Sequence, residues 1–114
     1  MLKYIQGMTL KDALKRYDTI VDTYDSIPFD DKMATAELMK DMAVCLSYLT
    51  MHRIAYQKEW NKIVFEFKGT NAAGERKADE AKPELYKLRR IHEAGKIIQD
   101  TMRSQISLLK QENN

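Results

Sequence analysis

From Asp31 to Lys68 the sequence contains neither glycine nor proline. Leu38, Met42, Cys45, Leu49, His52, Tyr56, Trp60, Ile63 and Phe67 recur along it at steps of three and four. That spacing keeps them on one stripe of a 3.6-residue helix. At 1.5 Å per residue such a helix is about 57 Å long. This outreaches a compact domain of 114 residues, so the stripe must be covered by other helices laid beside it.

The flanking sequence supplies them. Thr9 is an N-cap with Asp12 favourably placed near the positive end of the dipole. Leu10, Ala13, Leu14, Tyr17, Ile20, Val21 and Tyr24 then mark one face of a helix over 9–25. Pro28 ends it by pushing its predecessor out of the helical region, and Asp30 or Asp31 caps the long helix. Gly69 suits a left-handed residue just past the long helix, with Lys68 in the last turn. A short Ala-rich helix over 72–82, capped by Thr70 or Asn71, has little to bury. Pro83 opens or kinks a last helix over 84–111 with Glu84 in its first turn. Residues 1–8 read as an arm and the last three as a frayed tail. The expected fold is all-α: one domain, an elongated hairpin of the 31–68 and 84–111 helices with the N-terminal helix packed on it.

The last helix carries two apolar stripes. Leu85, Leu88, Ile91, Gly95, Ile98, Met102, Ile106 and Leu109 form the main one, and Tyr86, Ala94, Ile97, Thr101 and Leu108 a weaker one roughly opposite. A helix apolar on two faces is sandwiched between neighbours. The second neighbour is either the first helix or another subunit. Because one short helix cannot cover both long ones, a homo-oligomer through Tyr86, Ile97 and Leu108 is expected.

Charge is uneven along the chain. Residues 1–52 hold 6 Lys/Arg against 8 Asp/Glu, whereas 53–114 hold 13 against 9. The second half thus favours an anionic partner. The single Cys45 lies on the apolar stripe, where a thiol behaves as a small hydrophobe. One cysteine forms no internal disulfide, which points to the cytoplasm. The first residues lack the apolar run of a signal peptide, and no window reaches the length of a membrane span.

Residues that carry chemistry are few. His52 and His92 each lie by an apolar stripe without a second ligand at helical spacing, so a hydrogen-bonded seam is a better reading than a metal site. Asp30–Asp31 and Asp79–Glu80 are neighbours in sequence and do not face each other on a helix. No phosphate loop or nucleophile motif is present. Neither catalytic residues, a metal nor a cofactor is expected. More specific is a face of the long helix where Lys58, Lys62 and Phe65 stand opposite Tyr56, Trp60, Ile63 and Phe67. Ammonium groups around an exposed ring suit single-stranded nucleic acid, phosphates meeting the lysines and a base the ring. Lys68, Arg76, Lys77, Lys87, Arg89 and Arg90 extend the charge, and a hairpin would gather these groups into one patch. The plainer reading is a solvated face, with Glu59, Glu66, Glu75 and Glu84 as helix-pair partners.

The stretch from Tyr48 onward also carries a resemblance. A Tyr48-Leu49 start leads to an aromatic-basic end, Phe65-Glu66-Phe67-Lys68-Gly69, then to the charged Ala73–Ala78 segment and the Ile98–Ser104 close. Over about 65 residues this is similar to phage recombination mediators of the UvsY type. That resemblance implies a homo-oligomer in the cytoplasm of a bacterial host cell, binding single-stranded DNA and helping to load a recombinase. Lys62 matches the lysine of the family's basic pair before the turn, and Val64 stands where its arginine would be. The alternative is a small phage helical protein that inhibits or adapts a host protein such as a defence nuclease. Its contact would be the acidic first half, with Asp18, Asp22, Asp25, Asp30 and Asp31.

Overall fold

A computed structural model describes residues 8–112, and among them the chain is all-α with four helices and no strand. We number them α1 (Leu10–Ser26), α2 (Lys32–Glu66), α3 (Asn71–Ala81) and α4 (Glu84–Glu112). Apart from Met8, the expected arm lies outside the described residues, as do the last two residues of the expected tail.

Three N-caps follow from side chains within reach of free backbone donors. The Asp12 amide donates to Thr9 Oγ1 at 3.2 Å, the Ala34 amide to Asp31 Oδ1 at 3.0 Å, and the Ala73 amide to Thr70 Oγ1 at 3.2 Å. Asp31 rather than Asp30 caps α2. α1 ends where Ile27 turns extended ahead of Pro28.

The end of α2 differs from expectation. The helix stops at Glu66, so Lys68 lies beyond its last turn, and no glycine among the described residues adopts positive φ. Phe67 itself turns extended and swings its ring against α3. A Cβ on Gly69 would come within 2.8 Å of that ring, and one on Gly74 within 3.3 Å of Phe67. Both glycines therefore answer to space around one aromatic side chain. α3 also buries more than its sequence suggests. Gly74 and Ala78 are both buried against the end of α2, small residues letting two helices approach closely.

Each of the other helices packs chiefly on α2. α4 runs antiparallel to it, and the register is set by polar contacts along the seam. Gln105 reaches Thr35, Gln99 donates to the Met39 carbonyl, His92 meets Thr50 and Arg53, and Arg89 donates to Gln57. α1 is antiparallel along the first half of α2, with Cys45 Sγ donating to the Ala13 carbonyl at 3.4 Å and Arg16 3.5 Å from Asp41. α3 takes the second half. The result is elongated, 62 × 30 × 21 Å.

The core lies where α1, α2 and α4 meet: Ala13, Ile20, Leu38, Met42, Cys45, Tyr48, Leu49, Leu88 and Met102. It contains Leu38, Met42, Cys45 and Leu49 of the stripe expected of α2 and Leu88 and Met102 of that expected of α4, with Tyr56, Ile91 and Ile98 packed partly buried against it. It also contains Tyr48, which lies off the long stripe. One polar cluster closes the same end. Tyr24 donates its hydroxyl to Gln105 Oε1 at 2.6 Å, and Gln105 Nε2 donates to the Phe29 carbonyl at 2.6 Å, tying α1, the loop and α4 together.

Candidate nucleic-acid interface

α3 lies on the Tyr56, Trp60, Ile63 and Phe67 side of α2. Trp60 Nε1 donates to Asp79 Oδ1 at 2.8 Å, Lys77 Nζ sits 5.6 Å from the centre of the Phe67 ring, and Lys82 Nζ sits 5.8 Å from that of Tyr56. Lys82 also pairs with Glu59, whose hydrogen bond raises the ammonium above its ordinary value. With that side covered, the opposite face of α2 is left to solvent. Lys58 and Lys62 are exposed there, and Phe65 is 90% exposed.

An isolated phenyl ring in water is unfavourable, since its apolar area is what folding normally removes. Here the ring is presented by a helix whose conformation is fixed by α3 on the far side, with Lys62 about one turn and Lys58 about two turns before it on the same face. The same face continues toward the N-terminus through Ile54 and Met51, both exposed. Sequence reasoning missed these two. The signal was present, because Met51, Ile54, Lys58, Lys62 and Phe65 follow one another at steps of three and four.

Arg76, Lys77, Lys87 and Arg90 do not join this face, contrary to the single patch expected of a hairpin. Lys68, Arg76, Lys77, Lys87 and Arg90 are all exposed. Gly74 and Ala78 turn toward α2, so Arg76, about 180° from them on a helix, points outward from the far side of α3. Lys77 is held at the Phe67 ring. α2 and α4 turn their core stripes toward each other, so Lys87 and Arg90 on the outer face of α4 point away from Lys58 and Lys62. Arg90 stands 5.7 Å from the centre of the Tyr86 ring. Val64 is half-buried. Tyr86, Ile97 and Leu108 are exposed, and α1 does not cover them.

The histidines are both held in seams. His52 Nε2 lies 3.1 Å from the Met8 carbonyl oxygen. His92 is buried between Arg53 Nη1, 3.0 Å from Nδ1, and Thr50 Oγ1, 2.9 Å from Nε2. Arginine only donates, so Nδ1 accepts and the ring proton sits on Nε2. Thr50 then accepts from the ring and donates to the Leu46 carbonyl at 2.7 Å. Burial, followed by the Arg53 and Lys96 charges, pushes the ring's pKa down. A depressed folded value means that stability is fully present above the ordinary histidine pKa of about 6.5 and falls as pH drops from there through the folded value. His92→Gln is expected to flatten that part of a stability–pH curve measured by urea unfolding. An unchanged slope would mean the ring is not locked neutral.

Cys45 is fully buried, and burial pushes its thiol up to about 11. Among the described residues no group of three or more His, Cys, Asp or Glu is placed to hold a metal ion, and no helix is long and apolar enough to cross a membrane. Comparison with family models, curated proteins and solved structures gives no match.

Proposed function

We propose that this protein is a non-enzymatic accessory of DNA recombination that binds single-stranded DNA through the Lys58, Lys62 and Phe65 face and helps to load a recombinase. The observation that carries the reading is Phe65, a ring almost wholly in solvent on the same face of a supported helix as Lys58 and Lys62. Stacking on such a ring is sequence-tolerant because every base offers a π-face, while the lysines meet backbone phosphates. Recombinase loading comes from the resemblance to phage mediators, which also motivates a second copy of the chain at Tyr86, Ile97 and Leu108. Lys68 follows Phe65 beyond the helix end, whereas Arg76, Lys77, Lys87 and Arg90 contribute only a longer-range positive field.

Fluorescence anisotropy with a labelled oligonucleotide tests it. Affinity is expected to fall with salt at a log–log slope of about −0.7 per phosphate contact. Lys62→Ala should make the slope shallower. Phe65→Ala should weaken binding by about 1–3 kcal/mol and leave the slope unchanged, because stacking is not ionic. Absence of binding at low salt would overturn the reading.

A second reading, a helical inhibitor or adaptor of a host protein, is favoured by α1. Asp18, Asp22 and Asp25 are exposed at steps of four and three, and no basic residue stands in that helix's last turn. Carboxylates near a helix C-terminus oppose its dipole and one another, a local cost that a cationic protein surface would relieve. It becomes the leading reading if the oligonucleotide does not bind.

A further inference from the structure

Tyr86, Ile97 and Leu108 are spaced eleven residues apart on α4 and are 68%, 67% and 47% exposed. Eleven residues return to within about 20° of three full turns. The three side chains therefore form a nearly straight row about 33 Å long. Arg90, Glu93, Thr101 and Ser104 lie exposed on the same face between them. The row has a centre, Ile97, with one large apolar residue at equal distance on either side. The molecule's charge has no such symmetry. Residues 18–41, at one end, carry seven Asp/Glu against two Lys, and residues 53–90, toward the other, carry ten Lys/Arg against six Asp/Glu.

We propose that this row is the seam of a homodimer in which a second copy lies antiparallel, with the two-fold axis passing at Ile97. This deepens the second copy proposed above and is independent of nucleic-acid binding. An isologous contact requires that if residue i meets j, j meets i. With the axis at Ile97, Tyr86 meets Leu108 of the second copy, Arg90 meets its Ser104 and Glu93 meets its Thr101. All three apolar side chains leave water, and none of these pairs sets like charges together. A parallel pair in register would set Arg90 against Arg90 and Glu93 against Glu93, which is repulsive. It would also bring the two basic ends together. The antiparallel pair lays the basic end of each copy beside the acidic end of the other and opposes the two helix dipoles. Sliding the pair by one eleven-residue step leaves an apolar residue of each copy uncovered. Thr101, Ser104 and the half-buried Ala94 are small, so the two helices can approach closely.

The test is disulfide trapping of the full chain under mild oxidation. Cys45 is fully buried with a raised pKa, so the native thiol stays out of the reaction. Ile97→Cys alone is expected to give a linked dimer. Tyr86→Cys and Leu108→Cys are each expected to stay unlinked alone and to link when mixed. By sedimentation the native chain should run as twice 13.3 kDa at tens of micromolar. Ile97→Glu should run as a monomer with unchanged helical circular dichroism, because the position is exposed and the fold does not depend on it. Self-linking of Tyr86→Cys would overturn the antiparallel seam in favour of a parallel one. A dimer by sedimentation whose Ile97→Cys fails to link would keep a second copy and overturn this seam. A native monomer would overturn both, while leaving oligonucleotide binding to be judged by its own assay.

Discussion

Leu49→Ala is expected to lower the unfolding free energy by about 2–5 kcal/mol. Leu49 is fully buried midway along α2 and belongs to the core shared by α1, α2 and α4. Removing its three outer carbons forfeits their transfer free energy. It also leaves a cavity that the surrounding side chains close only in part, because Met42, Cys45, Tyr48 and Met102 are themselves wholly or almost wholly buried and held by their own helices. The contrast is Ile54→Ala on the same helix. Ile54 is 61% exposed, and alanine is the better helix former, so its effect should stay within about 0.5 kcal/mol. Urea unfolding with an unchanged m-value reads both. Equal effects at the two positions would mean that the stripe through Leu38, Met42, Cys45 and Leu49 is not the one facing the core.

That stripe was legible because helical periodicity is a local property, and the absence of Gly and Pro from 31–68 left nothing to contest it. The cap at Thr9 was legible for the same reason, and those of α2 and α3 to within one residue, since Asp30 or Asp31 and Thr70 or Asn71 have the same capping chemistry. What was not legible came from side chains that meet only after folding. Phe67 belongs to the long stripe by spacing, yet it leaves the helix to pack on Gly74, which shortens α2 and removes the left-handed role expected of Gly69. α3 appeared to have little to bury because Gly74 and Ala78 are small. Their size is what allows the contact. The gathering of Lys58, Lys62, Arg76, Lys77, Lys87 and Arg90 into one patch failed because the sequence does not say on which side of α2 the short helix lies. Once α3 covers Trp60 and Phe67, the face with Lys58, Lys62 and Phe65 is left open, with the other cations directed elsewhere. His92 stands beside the main stripe of α4. Its partners Thr50 and Arg53 lie about forty residues away, beyond the reach of any local pattern.

Gly95→Leu is expected to cost about 3 kcal/mol or more, the upper end of overpacking in a filled core. Glycine inside a helix is itself unfavourable by about 0.5–1 kcal/mol relative to alanine, so its place in the middle of α4 needs a reason. A Cβ there would come 2.8 Å from Leu46 Cδ2, 3.2 Å from Tyr17 Cε2 and 3.7 Å from Met42 Sδ. Side chains of α1 and α2 thus meet the backbone of α4 at this one residue. Gly95→Ala sets two effects against each other: the propensity gain, and a close contact that the far end of the Leu46 side chain can relieve by turning. A net change within about 1 kcal/mol follows. Leucine adds carbons that no rotation of Leu46 alone can accommodate, because Tyr17 and Met42 close the other sides. The variant must push α4 away from α2 and loosen the seam on which the Gln99 and His92 contacts depend. Combining Gly95→Leu with Leu46→Ala should recover part of the loss, a non-additive result expected of side chains that share one space. Simple additivity in urea unfolding of the single and double variants would place Leu46 away from Gly95. A silent Gly95→Leu would mean that the helices do not cross here.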